Sequence, residues 1–349
     1  MTTPSINKAS EHKSSPKEGK FPKEHNEHPF APFVRILGKG KKGSRSLTRE
    51  EARSAMGMII DKECLDLQLG AFLMLLRVKE ESPDELAGFV EAAQERFHAP
   101  RLEVDIDWSS YAGKKRHQPW FILSALMLSQ TGIRIFMHGA EGHTQGRLYT
   151  RNVMTTLGLP VAENWEQVEH HLDAKNFAYL PLEAFSPRLH DIIQMRSILG
   201  LRSPVHSMAR LLNPLNASLV VQGIFHPPYS PIHQLTGQLL NYPKSLVIKG
   251  EGGEFERNPD GECLARYVAD GKVAEETWPA MFERRHVKPD SLEVSAMQSL
   301  WRGESEDEYA VAAVISTAAL TLRHLRNLCM DEAMKKSKEI WAQRNKTLL

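Results

Sequence analysis

After about residue 104, short apolar runs alternate with helical periods, and this alternation constrains the fold more than any other feature of the chain. Residues 134–137, 177–180, 218–225 and 245–249 have the length and branching of buried strands. Residues 119–131, 147–157, 187–199, 231–240 and 306–328 read as helices, the last opened by a Ser305/Glu308 capping box. Parallel neighbours need a crossover long enough to hold a helix, so the pattern predicts an α/β domain with a mostly parallel sheet.

The region before residue 104 has no strand signal. Thr48 and Glu51 form a capping box ahead of Ala52, Met56, Ile59 and Ile60. Asp66 opens a second apolar helix running to Val78. Ser82-Pro83-Asp84-Glu85 supplies an N-cap, Pro at the first helical position and Glu three residues on. A small helical domain over 31–104 is expected, followed by an α/β domain over 105–340. Residues 1–30 hold almost no large apolar side chains and are expected to form a disordered basic tail.

Charge is unevenly distributed. The 349 residues sum to +1, yet residues 1–49 hold eleven Lys/Arg against four Glu. A basic segment of this kind attracts nucleic acid or anionic lipid, or is simply solvated. Cys64, Cys263 and Cys329 are few and widely spaced, which argues against a disulfide framework and for a reducing compartment. No run approaches membrane-spanning length and no signal peptide is visible, so a cytoplasmic protein with no membrane partner is expected.

Residues 111–116 read Tyr-Ala-Gly-Lys-Lys-Arg, just ahead of the helix expected near Pro119. A glycine turn at a helix N-terminus suits an anion, because free N–H groups and the helix dipole both favour negative charge. Cations there oppose the dipole unless an anion is present, so Gly113, Lys114, Lys115 and Arg116 form a candidate phosphate site. His138-Gly139 and the polar loop to Gly146 follow a strand end and offer a second wall. Lys39, Lys41, Lys42 and Arg45 surround three glycines and suit either a phosphate backbone or bulk solvent. The His138/His143 spacing lacks a third metal ligand. Asp105 and Asp107 read as strand-edge carboxylates or, less favourably, a general base.

Several further motifs occur in one order: Asn152-Val153-Met154-Thr155-Thr156-Leu157-Gly158, then Arg196-Ser197-Ile198-Leu199-Gly200-Leu201-Arg202, Leu211-Leu212-Asn213-Pro214 and Gln222-Gly223-Ile224-Phe225-His226-Pro227. With the 111–116 loop and His138-Gly139, they resemble anthranilate phosphoribosyltransferase over roughly residues 33–260. Ser110 to Arg116 and Lys249-Gly250-Glu251-Gly252-Gly253-Glu254 resemble the YbiB-like branch of that family. The resemblance implies the phosphoribosyltransferase fold, with the helical domain completed by a helix near 187–203. It also implies a homodimer that binds DNA or RNA with little sequence preference.

Departures from the enzyme pattern fall on the chemistry. The enzymes' Gly-Thr-Gly-Gly-Asp diphosphate loop is replaced here by one glycine, Gly113, followed by cations. Met137 and Ala140 flank His138-Gly139 where the enzymes have Lys and Asn. The Gly-Ser-Ala-Asp turn falls on Tyr149, Thr150, Arg151 and Asn152, and the Asp-Glu pair for Mg²⁺ on Phe255 and Glu256. Arg196 matches the arginine that holds the anthranilate carboxylate, and Arg210 replaces a family proline.

The favoured expectation is a catalytically degenerate nucleic-acid-binding protein without a cofactor. Its phosphate contacts would come from Lys39, Lys41, Lys42, Arg45, Gly113, Lys114, Lys115, Arg116, Arg147, Arg151, Arg202, Arg210 and Lys249. The alternative is a transferase using phosphoribosyl diphosphate with Mg²⁺ and an aromatic or nitrogenous acceptor. His138, Arg196 and Glu256 would be its positioning residues.

Overall fold

The computed structural model describes residues 27–349, so most of the expected basic tail lies outside the described residues. Four helices come first: α1 (Ala31–Gly38), α2 (Arg49–Ile60), α3 (Asp66–Lys79) and α4 (Pro83–Gln94). The Thr48/Glu51 and Ser82/Glu85 capping boxes both form, fixing the starts of α2 and α4. These two helices cross closely at Gly88, where an added Cβ would lie 2.2 Å from the Arg49 carbonyl oxygen.

The remainder alternates as expected. It runs β1 (Ile106–Ser110), α5 (Phe121–Ser129), β2 (Ile135–Gly139), α6 (Thr150–Thr156), α7 (Trp165–Lys175) and β3 (Phe177–Pro181). Short helices α8 (Leu182–Phe185), α9 (Pro187–Gln194), α10 (Arg196–Leu199) and α11 (Val205–Met208) lead to β4 (Leu219–Ile224). Then follow α12 (Tyr229–Leu239), β5 (Lys244–Lys249), β6 (Cys263–Ala269), β7 (Lys272–Trp278), α13 (Val294–Arg302), α14 (Glu308–Arg326) and α15 (Met330–Gln343). The seven strands lie in the order β3-β2-β1-β4-β5-β6-β7. The first five are parallel, and β6 and β7 join antiparallel at one edge. A small helical domain and a larger, mostly parallel α/β domain are therefore both present.

Two apolar clusters cover the two sheet faces. Trp108, Phe121, Phe255, Trp278, Trp301 and Val314 belong to the one containing α5 and the C-terminal helices. Phe72, Phe89, Leu189, Ile192, Val205 and Val220 belong to the other, which joins the N-terminal helices to α9, α11 and the sheet. Residues 187–208 thus pack with the N-terminal helices.

Several local expectations need correction. The helix expected over 187–199 is two, because the chain breaks at Met195, the C-cap of one helix and the N-cap of the next. Asp307, rather than Ser305, caps α14, accepting the Ala310 N–H. The helix expected from residue 147 begins only at Thr150, because Leu148 pairs with Lys114 in an isolated β-bridge. Strand β1, central in the sheet, contains Asp107 and two serines and lacks an apolar signature. The β6–β7 hairpin was likewise unmarked, its outer strand being mostly exposed.

Strand order reverses between β1 and β4: the chain builds outward through β2 and β3 on one side and β5 on the other. In doubly wound sheets such a reversal opens a crevice at the carboxyl ends of the strands. The segments leaving β1 (residues 111–116) and β4 (Phe225, His226) lie at that crevice, and the segment after β5 closes it.

Candidate nucleic-acid interface

The loop after β1 is anion-seeking, and its anion is internal. Glu254 Oε1 accepts the N–H groups of Ala112 at 2.7 Å and Gly113 at 2.6 Å. Gly113 has φ +67°, and an added Cβ would meet the Tyr149 ring at 2.9 Å. Glu254 arrives from the turn after β5, where Gly252 and Gly253 adopt φ of +70° and +92°. It is 1% exposed, and its Oε2 has no partner.

Lys114 occupies a different place from that expected of a rim cation. It is fully buried and donates to Glu256 Oε1 at 2.5 Å and pairs with Glu251. Burial opposes its charge, but Glu256 and Glu251 outweigh that and raise its pKa. Glu256 accepts the Phe121 N–H on its other oxygen at 2.8 Å, so this carboxylate caps α5. Burial pushes the Glu256 carboxyl up to about 7, against the pull of Lys114. The helix N-terminus expected to greet an outside anion is therefore already satisfied.

This arrangement does not fit phosphoribosyl diphosphate with Mg²⁺. The loop amides are taken by Glu254, both Glu256 oxygens are hydrogen-bonded, and Phe255 is buried in the apolar core. No group of three or more His, Cys, Asp or Glu suited to a metal occurs among the described residues.

Other expected site residues have structural partners. His138 is fully buried, with Nε2 3.1 Å from Asp107 Oδ1 and Nδ1 2.7 Å from the Tyr111 hydroxyl. Burial first, then Asp107, holds the Tyr111 pKa well up, so the phenol donates to Nδ1 and Nε2–H donates to Asp107. This chain of hydrogen bonds ties β1 to β2 internally. Arg147 donates to the carbonyls of Ala112, Gly113 and Gly252, clamping the two loops together. Arg151 pairs with Glu183 and Glu141, and Arg45 with Glu51. Arg196 donates to the His143 carbonyl at 2.9 Å and to the Thr144 hydroxyl. Arg210 is buried and donates to the carbonyls of Gly223 and His206.

The cations left outward are Lys115, Arg116 and Lys249, all exposed. Arg202 is half-buried and has no carboxylate partner among the described residues. Lys39, Lys41 and Lys42 are also exposed, in the loop between α1 and α2. The 111–116 and 249–254 segments touch, since Lys114 Nζ also donates to the Glu251 carbonyl. Lys115, Arg116 and Lys249 therefore belong to one rim. Beside it is Phe225, 48% exposed, whose Cβ lies 3.2 Å from where a Gly253 Cβ would be. Sequence reasoning did not single out Phe225 as a candidate site residue, although its place just beyond a strand end was a usable signal. It missed Glu254 as well, naming it only within a motif.

A helical bundle domain joined to a mostly parallel α/β domain, with the crevice at their junction, defines the phosphoribosyltransferase class of glycosyl transferase folds. Residues 33–97 match the helical bundle domain, and residues 122–343 the a/b domain, of the glycosyl transferase family, and the chain belongs to that family. It is 27% identical over 243 residues to the uncharacterized protein YbiB of Escherichia coli, covering 66% of this chain and 73% of that protein. It is 28% identical over 256 residues to the anthranilate phosphoribosyltransferase of Brevibacillus brevis, covering 71% and 74%. Its fold matches that of anthranilate phosphoribosyltransferase from Thermus thermophilus with a TM-score of 0.74 at 21% identity, over 89% of this chain and 94% of the other. The resemblance to the YbiB-like branch is borne out.

Proposed function

We propose that this protein is a sequence-tolerant nucleic-acid-binding member of its family and no longer transfers phosphoribosyl groups. The observation that carries the reading is the Glu254 carboxylate on the Ala112 and Gly113 amides. It holds the loop shut against a diphosphate, while Lys115, Arg116 and Lys249 remain free to meet phosphates outside. Phosphate neutralisation supplies affinity without reading bases. The exposed Phe225 ring offers a stacking surface for an unpaired base.

Self-association fits the same surface logic. Leu65 and Leu67 at the start of α3, and Ile198 and Leu201 around α10, are exposed large apolar residues. Arg188, in the helix just before α10, donates to the Ile59 carbonyl, which places α9 beside the end of α2 near α3. A homodimer would cover these four side chains.

Fluorescence anisotropy with single- and double-stranded oligonucleotides at several salt concentrations tests the reading. If about five phosphates are engaged, log K falls against log salt with a slope of roughly −4 to −5. Absence of binding at low salt would remove the nucleic-acid reading. Thermal stabilisation by phosphoribosyl diphosphate with Mg²⁺ would restore the transferase reading in its place.

A further inference from the structure

A cavity of about 80 Å³ lies where the helical domain meets the carboxyl end of β4. That is several times the space one water needs, yet far below the roughly 300–1,000 Å³ of pockets that enclose whole small molecules. Three arginines from separate elements enter its wall: Arg77 from α3, Arg202 from the loop after α10, and Arg210 just after α11. His206, Ser207 and Tyr229 are among its other polar lining residues.

No carboxylate lines the cavity, and none pairs with these arginines among the described residues. Arg77 donates to the Tyr229 hydroxyl at 3.1 Å, which orients it. Arg210 spends Nε and Nη1 on the Gly223 and His206 carbonyls, fixing the guanidinium. Arg202 has neither a hydrogen-bond nor an ion-pair partner among the described residues. Burial, then Arg210, Arg147 and Arg196, pulls the Arg202 pKa down to about 10. His206 is 4% exposed and its Nε2 is buried without a partner. Its Nδ1 is engaged by Ser203, 3.2 Å from both that residue's N–H and its carbonyl oxygen, so the unpartnered Nε2 is the ring atom left for a ligand. Glu254, whose Oε1 serves the Ala112 and Gly113 amides, offsets the charge of Arg210 in part but makes no ion pair with it and leaves Arg202 and Arg77 without a carboxylate partner.

We infer that this cavity is a binding site for a single phosphate dianion, recognised by the guanidinium groups of Arg77, Arg202 and Arg210. Planar guanidiniums suit tetrahedral oxyanions: Arg202 has its whole donor fork unspent, and Arg77 and Arg210, each oriented by its own hydrogen bonds, keep further N–H groups to offer. The volume encloses one phosphate group and no more, so the ligand is inorganic phosphate or a phosphomonoester whose remainder, the rest of a longer chain, stays outside. The second source rests on the nucleic-acid reading, because a strand held along Lys115, Arg116 and Phe225 would pass the cavity mouth, where Phe225 is also a wall residue. The first source does not depend on it.

The test uses the full chain, with inorganic phosphate in one arm and matched oligonucleotides bearing a terminal phosphate or a hydroxyl in the other. Phosphate should raise the melting temperature of the wild type, and Arg202→Gln should abolish the rise. Ser207→Asp places a carboxylate in the same cavity without removing an arginine and should abolish it too, which covers the case of a poorly folded R202Q. An oligonucleotide with a terminal phosphate should bind the wild type about tenfold tighter than its hydroxyl twin, and the two should bind alike to either variant. Stabilisation by phosphate with no preference for the phosphorylated end identifies free phosphate as the ligand. Binding of phosphate with no oligonucleotide binding at all leaves this site standing while the nucleic-acid reading falls. No stabilisation by phosphate and no end preference overturns the site.

Discussion

Glu254 Oε1 accepts the backbone N–H of Gly113 at 2.6 Å, so a side chain of the protein takes up an amide that the loop after β1 would otherwise offer to an external anion. The same oxygen accepts the Ala112 N–H, and Lys114 next in the chain is sealed between Glu251 and Glu256. A loop that looks built for an external anion is thereby satisfied from within.

Removing that internal anion should reopen the loop. Glu254→Ala leaves two buried N–H donors unpaired and should cost about 1–3 kcal/mol of stability for each, measured by urea unfolding. Inorganic pyrophosphate should then stabilise the variant more than the wild type. An identical response of the two proteins would show that Glu254 is not what closes the loop.

The three consecutive cations should separate sharply by mutation. Lys114→Met strands Glu251 and Glu256 in the interior, and breaking such a buried pair costs about 3–5 kcal/mol. The double variant Lys115→Glu/Arg116→Glu should keep the wild-type melting temperature and bind oligonucleotides more weakly, with the salt slope reduced by about 2. Reversal of all three charges would therefore unfold the protein through Lys114, contrary to the expectation from sequence that the run is a free rim. Undiminished oligonucleotide binding by the double variant would dismiss the rim as the contact surface.

Phe225 should distinguish single strands from duplexes. Base–aromatic stacking is worth about 1–3 kcal/mol per base, so Phe225→Ala should weaken single-strand binding by at least about fivefold and leave duplex binding nearly unchanged. Equal losses on both substrates in anisotropy would rule out stacking.

Glu81 sets a pH dependence of stability. It is 3% exposed with an unpartnered Oε2, and burial raises its pKa from 4.5 to about 7. A carboxyl whose folded pKa is raised contributes stability in its protonated form. That contribution is full below about pH 4.5 and is lost as pH rises through about 7. Glu81→Gln should therefore be stabilising at pH 8, by up to about 3 kcal/mol, and close to neutral at pH 4.5. A variant no more stable than the wild type at pH 8 in chemical denaturation would contradict this.

The exposed apolar residues near α3 and α10 should report on assembly. Leu67→Asp combined with Ile198→Asp should convert a dimer to a monomer in light scattering without lowering secondary structure. A wild-type protein that is itself monomeric at micromolar concentration would end the dimer reading.

Much of the architecture was legible because it is written in local signals. The Thr48/Glu51 and Ser82/Glu85 boxes act within four residues, and the apolar runs at β2 to β5 need no knowledge of their neighbours. Strand β1 escaped because Asp107 is tolerated in mid-sheet only through His138, which arrives from another strand. The site was legible in outline for a similar reason. Glycine and cations after β1 do signal an anion, but which anion depends on a residue 141 positions away in sequence.

The sequence by itself determined the helical domain, the alternation behind the parallel sheet, and the family to which the chain belongs. Only the tertiary structure decided which charges face water. Lys114, Lys115 and Arg116 are chemically alike and adjacent, yet the first is buried between two carboxylates and the others are exposed. A charge is free or spent according to what folds against it, and those partners come from distant segments whose approach local pattern does not encode.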